Sequence, residues 1–424
     1  MHGTPKKCKN LLTNLLTQRN VKTMKLSVLD YISTQHVHFS QLCDLEQGGI
    51  PLFYPTLYCG QKLWGLTHNS QREILRSVKC VYEWADKHGI DLDERFTSRQ
   101  LLTPAEIGTL GDFLARNRTS PTESIDATKF NARCRHVTNY LEWLAHQLIR
   151  NSNTEISESI TCMLNALDTL PVPTGSKHQR NREMITKHLT VGMSEALIEL
   201  FSNPTAHVDR PANFGAAFRN ATMLEILYET GMRIGEVLTL KLKDFTPARG
   251  GDHAVLRIQR NHDDALDRRL RQPVAKTLGR ELPITEQMSK KIQDYLKIRA
   301  DVPYTEFRDD DFIFINHRPN EHQGQPLELS AFYNALGLLR KKYPALRGLH
   351  PHLLRHDWNY RFSKSAKEKG LSEAEEASQR CYLMGWVPDS DMPNLYNFRH
   401  IMEGAAKTGL STANHVSERR KRRP

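Results

Sequence analysis

The chain has 424 residues and a formal net charge of +11, with 39% hydrophobic and 25% charged residues. This length predicts two or three domains, and the composition is that of a globular protein. No apolar run reaches the roughly eighteen residues of a membrane span, and the first residues lack the apolar segment of a secretion signal. We therefore expect a cytoplasmic, DNA-associated protein, because its basic charge favours a polyanionic partner, most simply nucleic acid.

Seven cysteines are scattered along the sequence without a CxxC pair. This pattern argues against a disulfide framework and against a zinc site, because both need paired or closely spaced thiols. We expect reduced, mostly buried cysteines, no bound metal and no cofactor.

Residues 1–65 form an N-terminal extension of unclear structure. Its start is basic, leucines between positions 11 and 16 suggest a short amphipathic helix, and the proline-punctuated stretch 51–58 resembles a loop or a short strand. Two interpretations stay open, an arm that contacts DNA and a solvated extension.

Residues 66–172 are predicted to form a helical, DNA-binding domain. Apolar residues at helical spacing mark helices over 74–85, 130–148 and 156–170, and a capping box that begins at Thr103 opens another. Four such helices make a compact bundle, and the third carries basic residues on its other faces. Three aromatic residues fit core positions better than base-stacking ones: Trp84, Tyr140 and Trp143.

A basic linker is expected at 173–188. The Pro-Val-Pro-Thr-Gly-Ser run at 171–176 is typical of a domain boundary, and the residues after it are rich in lysine and arginine. Such a stretch can follow a phosphate backbone where two domains close around a duplex. An ordinary solvated linker is the alternative.

The second domain is predicted to span 189–424, including a C-terminal tail. Strands are expected at 240–245 and 254–259, with a hairpin of 272–277 and 280–284 after a charged segment, 263–271, that loops out. Helices are expected over 285–299, 330–342, 351–369 and 373–384, with a last turn at 393–398. The predicted fold class is mainly α (α+β), a helical bundle followed by a mostly helical domain with a small antiparallel sheet.

The run Thr-Gly-Met-Arg-Ile-Gly-Glu at 230–236 organises this second domain. A predicted helix runs into it and ends at Gly231, a residue that accepts the left-handed geometry of a helix C-terminus. Arg233 follows on a new short helix, and this rigid setting suits a guanidinium that grips an anion. An ion pair of Arg233 with Glu229 or Glu236 is the plainer alternative.

Three further motifs lie downstream. His352 and Arg355, within a His-Pro-His-Leu-Leu-Arg-His run, share one face of a helix start. A Leu-Met-Gly-Trp run ends at Trp386, and Tyr396 follows ten residues later. Lys276 lies where a strand is expected to turn, shortly before an Arg-Glu-Leu-Pro-Ile run.

The order and spacing of these motifs resemble those of the tyrosine recombinase (phage integrase) family. The motifs are TGxRxxE, a hairpin lysine followed by RxLPI, HxLRH, LxGW and a final tyrosine. The resemblance covers the second domain, and the helical bundle is similar to the family's core-binding domain. Residues 1–65 carry no motif of the family. The resemblance implies six catalytic residues: Arg233, Lys276, His352, Arg355, Trp386 and the nucleophile Tyr396.

The chemistry of phosphodiester cleavage suits these residue types. Two arginines are always charged and can clamp the non-bridging oxygens of a pentacoordinate phosphorus without a metal. Tyrosine has a pKa near ~10, so a base such as His352 must take its proton. Lys276 can protonate the departing 5′ oxygen, and Trp386 can donate its indole N–H to the phosphate.

Alternatives stay open at several of these positions. Lys241, Lys243 or Arg280 could take the place of Lys276, and His350 or His356 that of His352. A lone tyrosine is usually a core or surface aromatic, and only its place after the Gly-Trp pair singles out Tyr396. Glu236 is expected to buttress Arg233 or its helix and not to touch DNA.

The resemblance implies a site-specific recombinase that cleaves and rejoins DNA through a 3′-phosphotyrosyl intermediate, integrating or excising a mobile element. Double-stranded DNA is the expected partner, bound by a homotetramer on two sites, with or without sister recombinases. A catalytically idle DNA-binding accessory protein and a topoisomerase IB- or telomere-resolvase-like enzyme are the alternatives.

The tail after Tyr396 ends in a basic run. A helix is expected through 401–407, and in the family this tail commonly docks on a neighbouring subunit. A phosphate-binding tail or, in a eukaryotic setting, a nuclear localisation signal are the other interpretations. The expected setting is prokaryotic.

Overall fold

A computed structural model describes residues 24–117, 120, 123–149, 153–175, 188–261, 264–275 and 277–421, without the side chains of 394, 398, 399 and 414–421. The chain divides into two compact units, Met1–Thr174 and Gly175–Pro424. The helix expected near residues 11–16, the basic residues of the linker (176–187) and Lys276 lie outside the described residues. Among the helices of the described part, none is long and apolar enough to cross a membrane.

The first unit begins with a small antiparallel sheet that the sequence did not predict. Its strands are β1 (Leu26–Ile32), β2 (His38–Asp44) and β3 (Ile50–Pro51), and Leu26 faces Asp44 in the register. The stretch 51–58, predicted as a loop or strand, is mostly a helix, α1 (Phe53–Tyr58). At its end, Tyr58 packs against the rings of Tyr140 and Trp143, at 5.1 and 5.0 Å between centroids, a contact between residues far apart in the chain.

The rest of the first unit is the expected helical bundle. Its helices are α2 (His68–Lys87), α3 (Leu92–Thr97), α4 (Pro104–Ala115), α5 (Ala127–Leu148) and α6 (Thr154–Asp168). The short helix α3, capped by Asp91, was not predicted. The capping box at Thr103 is present, and Trp84, Tyr140 and Trp143 are buried in the core as expected.

The second unit is mostly helical around its own core. Its helices are α7 (Val191–Ser202), α8 (Phe214–Thr230), α9 (Ile234–Thr239), α10 (Glu286–Ala300), α11 (Leu329–Lys342), α12 (Pro351–Glu368), α13 (Glu373–Met384) and α14 (Met392–Lys421). The predicted last turn at 393–398 is the beginning of α14, which continues for 30 residues through the stretch expected to be helical at 401–407.

The sheet of the second unit differs from the predicted one in its pairing. It comprises β4 (Phe245–Thr246), β5 (Ala254–Ile258) and β6 (Arg280–Ile284) in that order. The prediction of a hairpin between 272–277 and 280–284 was wrong, because β6 pairs with β5 and the described residues of 272–277 are not a strand. Half of the strand predicted at 240–245 is a 3₁₀ turn, Leu242–Asp244, and its last residue begins β4.

The charged segment 263–271 loops out as predicted over most of its described residues, 264–271, where Ala265, Leu266, Arg268, Leu270 and Arg271 are exposed, but two of its side chains turn inward. Asp267 and Arg269 are both buried, and the Arg269 guanidinium donates hydrogen bonds to the backbone carbonyls of Leu238 and Leu327, at 3.2 and 2.8 Å. An ion pair of 2.6 Å joins the two side chains. Buried backbone carbonyls at the end of α9 need a donor, and this arginine supplies it. The predicted fold class, mainly α with a small antiparallel sheet in the second domain, is confirmed.

Candidate active site

Two glycines end the helices that frame the site. Gly231 closes α8 with φ +65° and Gly385 closes α13 with φ +66°, both in the left-handed region that a side chain disfavours. Neither position has room for a side chain, because a Cβ on Gly231 would lie 3.0 Å from the Trp358 ring and one on Gly385 2.7 Å from Arg280. The chain therefore turns sharply at both places, as the sequence predicted.

Arg355 joins these two turns. Its side chain is 1% exposed, and its Nη1 and Nη2 donate to the carbonyls of Gly231 and Met384, at 2.7 and 3.1 Å. Its guanidinium also lies 5.4 Å from the centre of the Trp386 ring. Burial first, and then the nearby Arg233, lower the pKa of Arg355 to about 10. The positive charges of Arg355 and Arg233 thus lie close together in a poorly solvated place, and an anion bound between them would reduce their repulsion.

Arg233 precedes α9 at the rim of the site, with its side chain 34% exposed. Its backbone N–H donates to the Glu236 carboxylate at 2.9 Å, and its Nη1 lies 3.8 Å from the same carboxylate. Glu236 therefore buttresses Arg233, as expected, although the long ion pair leaves the guanidinium fork available. Glu229 instead accepts a hydrogen bond from Thr285.

Tyr396 lies near the start of α14 and is almost fully buried. Its ring stacks on Trp386 at 5.3 Å between centroids, and the ring of His356 lies 4.9 Å away. Burial raises the pKa of the phenol, while the positive charges of Arg355 and Arg233 act in the opposite direction. The phenol of Tyr396 therefore lies close enough to both guanidinium groups for their charges to lower its pKa.

Three N–H groups of this site are buried and have no hydrogen-bond acceptor among the described residues. They are the Nη1 of Arg233, the Nε of Arg355 and the indole Nε1 of Trp386. Buried donors are nearly always satisfied in folded proteins, and each one left unpaired costs about 1–3 kcal/mol. Three together beside a tyrosine describe a pocket for a ligand rich in acceptor oxygens.

The histidines of α12 divide between the helix cap and the site. His350 caps the helix by accepting the Leu353 N–H at 3.2 Å. His352 is exposed, and its ring contacts that of His356 edge-on at 4.5 Å. His356 contacts the Tyr396 ring directly. His352, the histidine that the motif singles out, contacts His356, so His356 lies between His352 and the tyrosine.

Residues on both sides of Lys276 are fixed in place. Ala275 and Thr277 are buried, and the Thr277 hydroxyl donates a short hydrogen bond to Glu236. The Leu278 N–H donates to the Gly385 carbonyl at 3.0 Å. The role assigned to Lys276 stays a prediction.

The cations considered in place of Lys276 all have carboxylate partners. Lys241 lies 2.8 Å from Asp264, and Lys243 lies 2.6 Å from Asp310. Arg280 is buried and pairs with Glu236 at 3.0 Å, so it serves the framework of the site.

Glu236 connects more of the site than its place in the motif suggested. It is buried and accepts hydrogen bonds from the Arg233 amide, from Thr277 and from both Nη atoms of Arg280. Arg280 in turn donates to the carbonyl of Leu383 at 2.7 Å. The Glu236 carboxylate thus links α9 to the segment before β6 and, through Arg280, to the end of α13. These contacts join residues far apart in the chain, so the motif alone could not predict them.

We expect sulfate to stabilise the protein by filling the space between the arginines. A bound oxyanion stabilises only the folded state, so the melting temperature should rise with sulfate concentration, and Arg233→Ala should reduce that rise. Sulfate also stabilises proteins in general. Arg257→Ala, which removes an exposed arginine of β5, is the matched control. An equal response of both variants in differential scanning fluorimetry would contradict an oxyanion site at Arg233.

Comparisons with known proteins bear on this second unit. Residues 204–369 match the model of the phage integrase family. That range includes Arg233, His352 and Arg355, and it ends before Trp386 and Tyr396.

Two curated relatives are tyrosine recombinases named XerD. The one from Halalkalibacterium halodurans is 27% identical over 142 residues, which cover 34% of this chain and 40% of the relative. The one from Listeria innocua is 27% identical over 146 residues, covering 33% and 39%. The chain thus spans about 40% of the length of these relatives.

Solved structures of a XerH site-specific recombinase are also similar. Its pre-cleavage complex with difH substrate is 14% identical with a TM-score of 0.37, and its post-cleavage complex with palindromic difH substrate is 15% identical with a TM-score of 0.39. Each covers 74% of this chain and 92% of the solved chain. Over residues 204–369, the second unit of this chain is thus similar to the phage integrase family, and two curated tyrosine recombinases are among its relatives.

Proposed function

We propose that this protein is a site-specific DNA recombinase that uses Tyr396 as its nucleophile. The observation that carries the proposal is the group of three buried N–H donors beside the tyrosine, on Arg233, Arg355 and Trp386, that lack a hydrogen-bond acceptor within the described part of the chain. A phosphodiester offers two non-bridging oxygens with several lone pairs, and it gains negative charge on them as a fifth oxygen approaches. The pocket therefore fits the transition state better than it fits a neutral ligand.

In the cleavage step, the Tyr396 oxygen forms a bond to phosphorus and the bond from phosphorus to the 5′ oxygen breaks. The phenolic proton passes to a histidine, His352 by its place in the motif, and His356 is the neighbour in contact with the ring. Lys276 supplies a proton to the departing 5′ oxygen. The product is a 3′-phosphotyrosyl linkage and a free 5′ hydroxyl.

The two arginines have different parts in this step. Arg355 is buried and fixed by two backbone carbonyls, so it offers one oxygen a donor whose position does not change. Arg233 is partly exposed and closes over the other oxygen from the rim. Rejoining is the same reaction in reverse, and it needs no ATP because the phosphotyrosyl bond retains the energy of the broken diester.

We further propose double-stranded DNA as the partner, with four copies of the chain on two DNA sites and integration or excision of a mobile element as the outcome. The net charge of +11 favours binding to a phosphate backbone. We propose that the basic end of the tail binds a neighbouring subunit or DNA.

Covalent capture tests the proposal with DNA of any sequence. A library of nicked duplexes with randomised sequence is incubated with the protein, because a nick near the cleaved bond lets the 5′ fragment diffuse away and traps the adduct. We expect DNA that remains attached through strong detergent, with one recovered sequence, and no adduct from Tyr396→Phe. That variant keeps the ring and its packing on Trp386, so it should unfold at the same temperature as the natural protein.

Other outcomes separate the alternatives. An adduct that persists in Tyr396→Phe would show that another nucleophile acts and would sink the assignment. DNA binding without any adduct would favour an accessory protein. Relaxation of supercoiled DNA without exchange between two duplexes carrying the captured sequence would favour topoisomerase-like activity.

A further inference from the structure

A second buried polar cluster lies behind the candidate site, between α12, α13 and α14. Its members Arg380, Asn359 and Ser363 have almost no exposed surface. Arg380 forms an ion pair with Glu376, one turn before it on α13, and its guanidinium also lies over the Phe362 ring at 5.0 Å. A buried arginine needs partners for its N–H groups, and most of those of Arg380 lie on α12.

One chain of hydrogen bonds in this cluster runs toward the start of α14. Arg380 Nη2 donates to Ser363 Oγ at 2.6 Å, and Ser363 Oγ donates to Asn397 Oδ1 at 2.9 Å. A hydroxyl that accepts from a guanidinium becomes a stronger donor, because the positive charge polarises its O–H bond. The charge of Arg380 therefore strengthens the bond that holds Asn397.

Asn397 is the residue after Tyr396. The bond from Ser363 thus fixes the helical turn that carries the proposed nucleophile. A second bond, from the Tyr360 hydroxyl to the Glu403 carboxylate, holds α14 to the same helix further along. Both anchors come from α12, the helix that also carries Arg355.

The cluster also touches the arginine side of the site. The Asn359 side chain donates to the backbone carbonyl of Arg355 at 2.8 Å and to the sulfur of Met384 at 3.4 Å. Arg380 donates to the Asn359 carbonyl at 3.2 Å. One group of buried residues therefore sets the relative positions of α12, which bears Arg355, of α13, which ends just before Trp386, and of the start of α14, which bears Tyr396.

We propose that Arg380, Ser363 and Asn397 are positioning residues for Tyr396, which they align for attack without touching DNA. This inference rests on the proposed function of Tyr396. A phenolic oxygen must approach phosphorus in line with the departing oxygen, and a displacement of about 1 Å can cost about 10²-fold in rate. The packing of the Tyr396 ring on Trp386 fixes the plane of the ring. The hydrogen bonds from Arg380 to Ser363 and from Ser363 to Asn397, here called the relay, fix the backbone that carries it.

The first test compares Ser363→Ala with the natural protein on the captured DNA sequence. We expect single-turnover adduct formation to slow by about 10- to 100-fold, with DNA affinity changed by less than about twofold. Ser378→Ala, which removes the same atom from an exposed serine of α13, should react at the natural rate. Equal rates for Ser363→Ala and Ser378→Ala would overturn the proposal.

A pair of substitutions at the half-buried Asn397 keeps the test decisive if Ser363→Ala folds poorly. Asn397→Ala removes the acceptor and should slow adduct formation to a similar extent. Asn397→Asp keeps an acceptor oxygen for Ser363 and should recover most of that loss. Recovery would not follow if Asn397 served only the stability of the helix. Similar rates for the two variants would contradict the relay.

A sulfur-substituted DNA separates a misplaced nucleophile from a missing proton donor. A 5′-bridging phosphorothiolate leaves as a thiolate that needs no proton, so it should rescue Lys276→Ala and leave the slow rate of Ser363→Ala unchanged. Rescue of Ser363→Ala would mean that the relay acts on the leaving group, against the proposal. Absence of any adduct from the natural protein would be a failure of the proposed function itself, and the positioning role would fall with it.

Discussion

Glu236→Ala is expected to lower the free energy of unfolding by about 3–5 kcal/mol, the largest change in stability that we predict for a single side chain. The substitution leaves Arg280 buried without its carboxylate, and it also removes the acceptor of the Thr277 hydroxyl and of the Arg233 amide. Urea unfolding of the natural protein and the variant measures the difference.

The double variant Glu236→Ala/Arg280→Met is the matched control. Removing both charges leaves no unpaired ion, so we expect it to be more stable than Glu236→Ala alone. If the double variant were less stable by the sum of the two single losses, the pair would not interact as the structure describes.

The same carboxylate should make stability depend on pH. Burial by itself raises the pKa of Glu236, but Arg280, Thr277 and the Arg233 amide outweigh it and hold the pKa below its ordinary 4.5. A carboxyl whose pKa is lower in the folded state stabilises the protein fully above its unfolded pKa, and that stabilisation is lost as the pH falls through the folded value. Acid unfolding should therefore begin below about pH 4.5, and Glu236→Ala should flatten this dependence.

Arg355→Ala is expected to abolish adduct formation and to lower the free energy of unfolding by about 2 kcal/mol. The carbonyls of Gly231 and Met384 lose their donor, and the ends of α8 and α13 lose the link between them. The loss is moderate because burial and the neighbouring Arg233 already disfavour the charge, as the lowered pKa of Arg355 indicates. Covalent capture and urea unfolding together check both effects.

Arg233→Ala gives the contrast. Its guanidinium holds no backbone carbonyl and lies at the rim, so we expect lost adduct formation with a stability change below about 0.5 kcal/mol. A loss of stability equal to that of Arg355→Ala would contradict the division between a fixed and a closing arginine.

The parts of the fold that the sequence predicted well depend on neighbours in the chain. Gly231 and Gly385 end helices because of their own backbone freedom, and the capping boxes at Thr103 and Ser372 involve residues three apart. The long amphipathic helices follow from periodicity in the same way.

The parts that it did not predict depend on residues far apart in the chain. Strand β6 pairs with β5 across an intervening segment, and two charged side chains of that segment, Asp267 and Arg269, are buried because Arg269 reaches Leu238 and Leu327. The charge of this segment suggested solvent exposure throughout, and only the three-dimensional position of two carbonyls explains the burial of this pair.

In the candidate site, too, the sequence predicted the residues that belong to local motifs and missed the contacts between residues far apart in the chain. The motifs brought Arg233, Arg355, Trp386 and Tyr396 to attention, and the structure places these four together. The contact between His356 and Tyr396, and the buried cluster around Arg380, come from the packing of α12 against α13 and α14. No spacing in the sequence encodes those contacts.

The helix that carries Tyr396 is 30 residues long, about 45 Å, and the two anchors from α12, at Asn397 and Glu403, lie in its first half. Just beyond Glu403 come Gly404 and Gly409, with no atom within 4 Å of where a side chain would start. Glycine makes a helix easier to bend at that point. We therefore expect a molecule that pulls on the far end of α14 to bend the helix at these glycines before it moves the turn that carries the phenol.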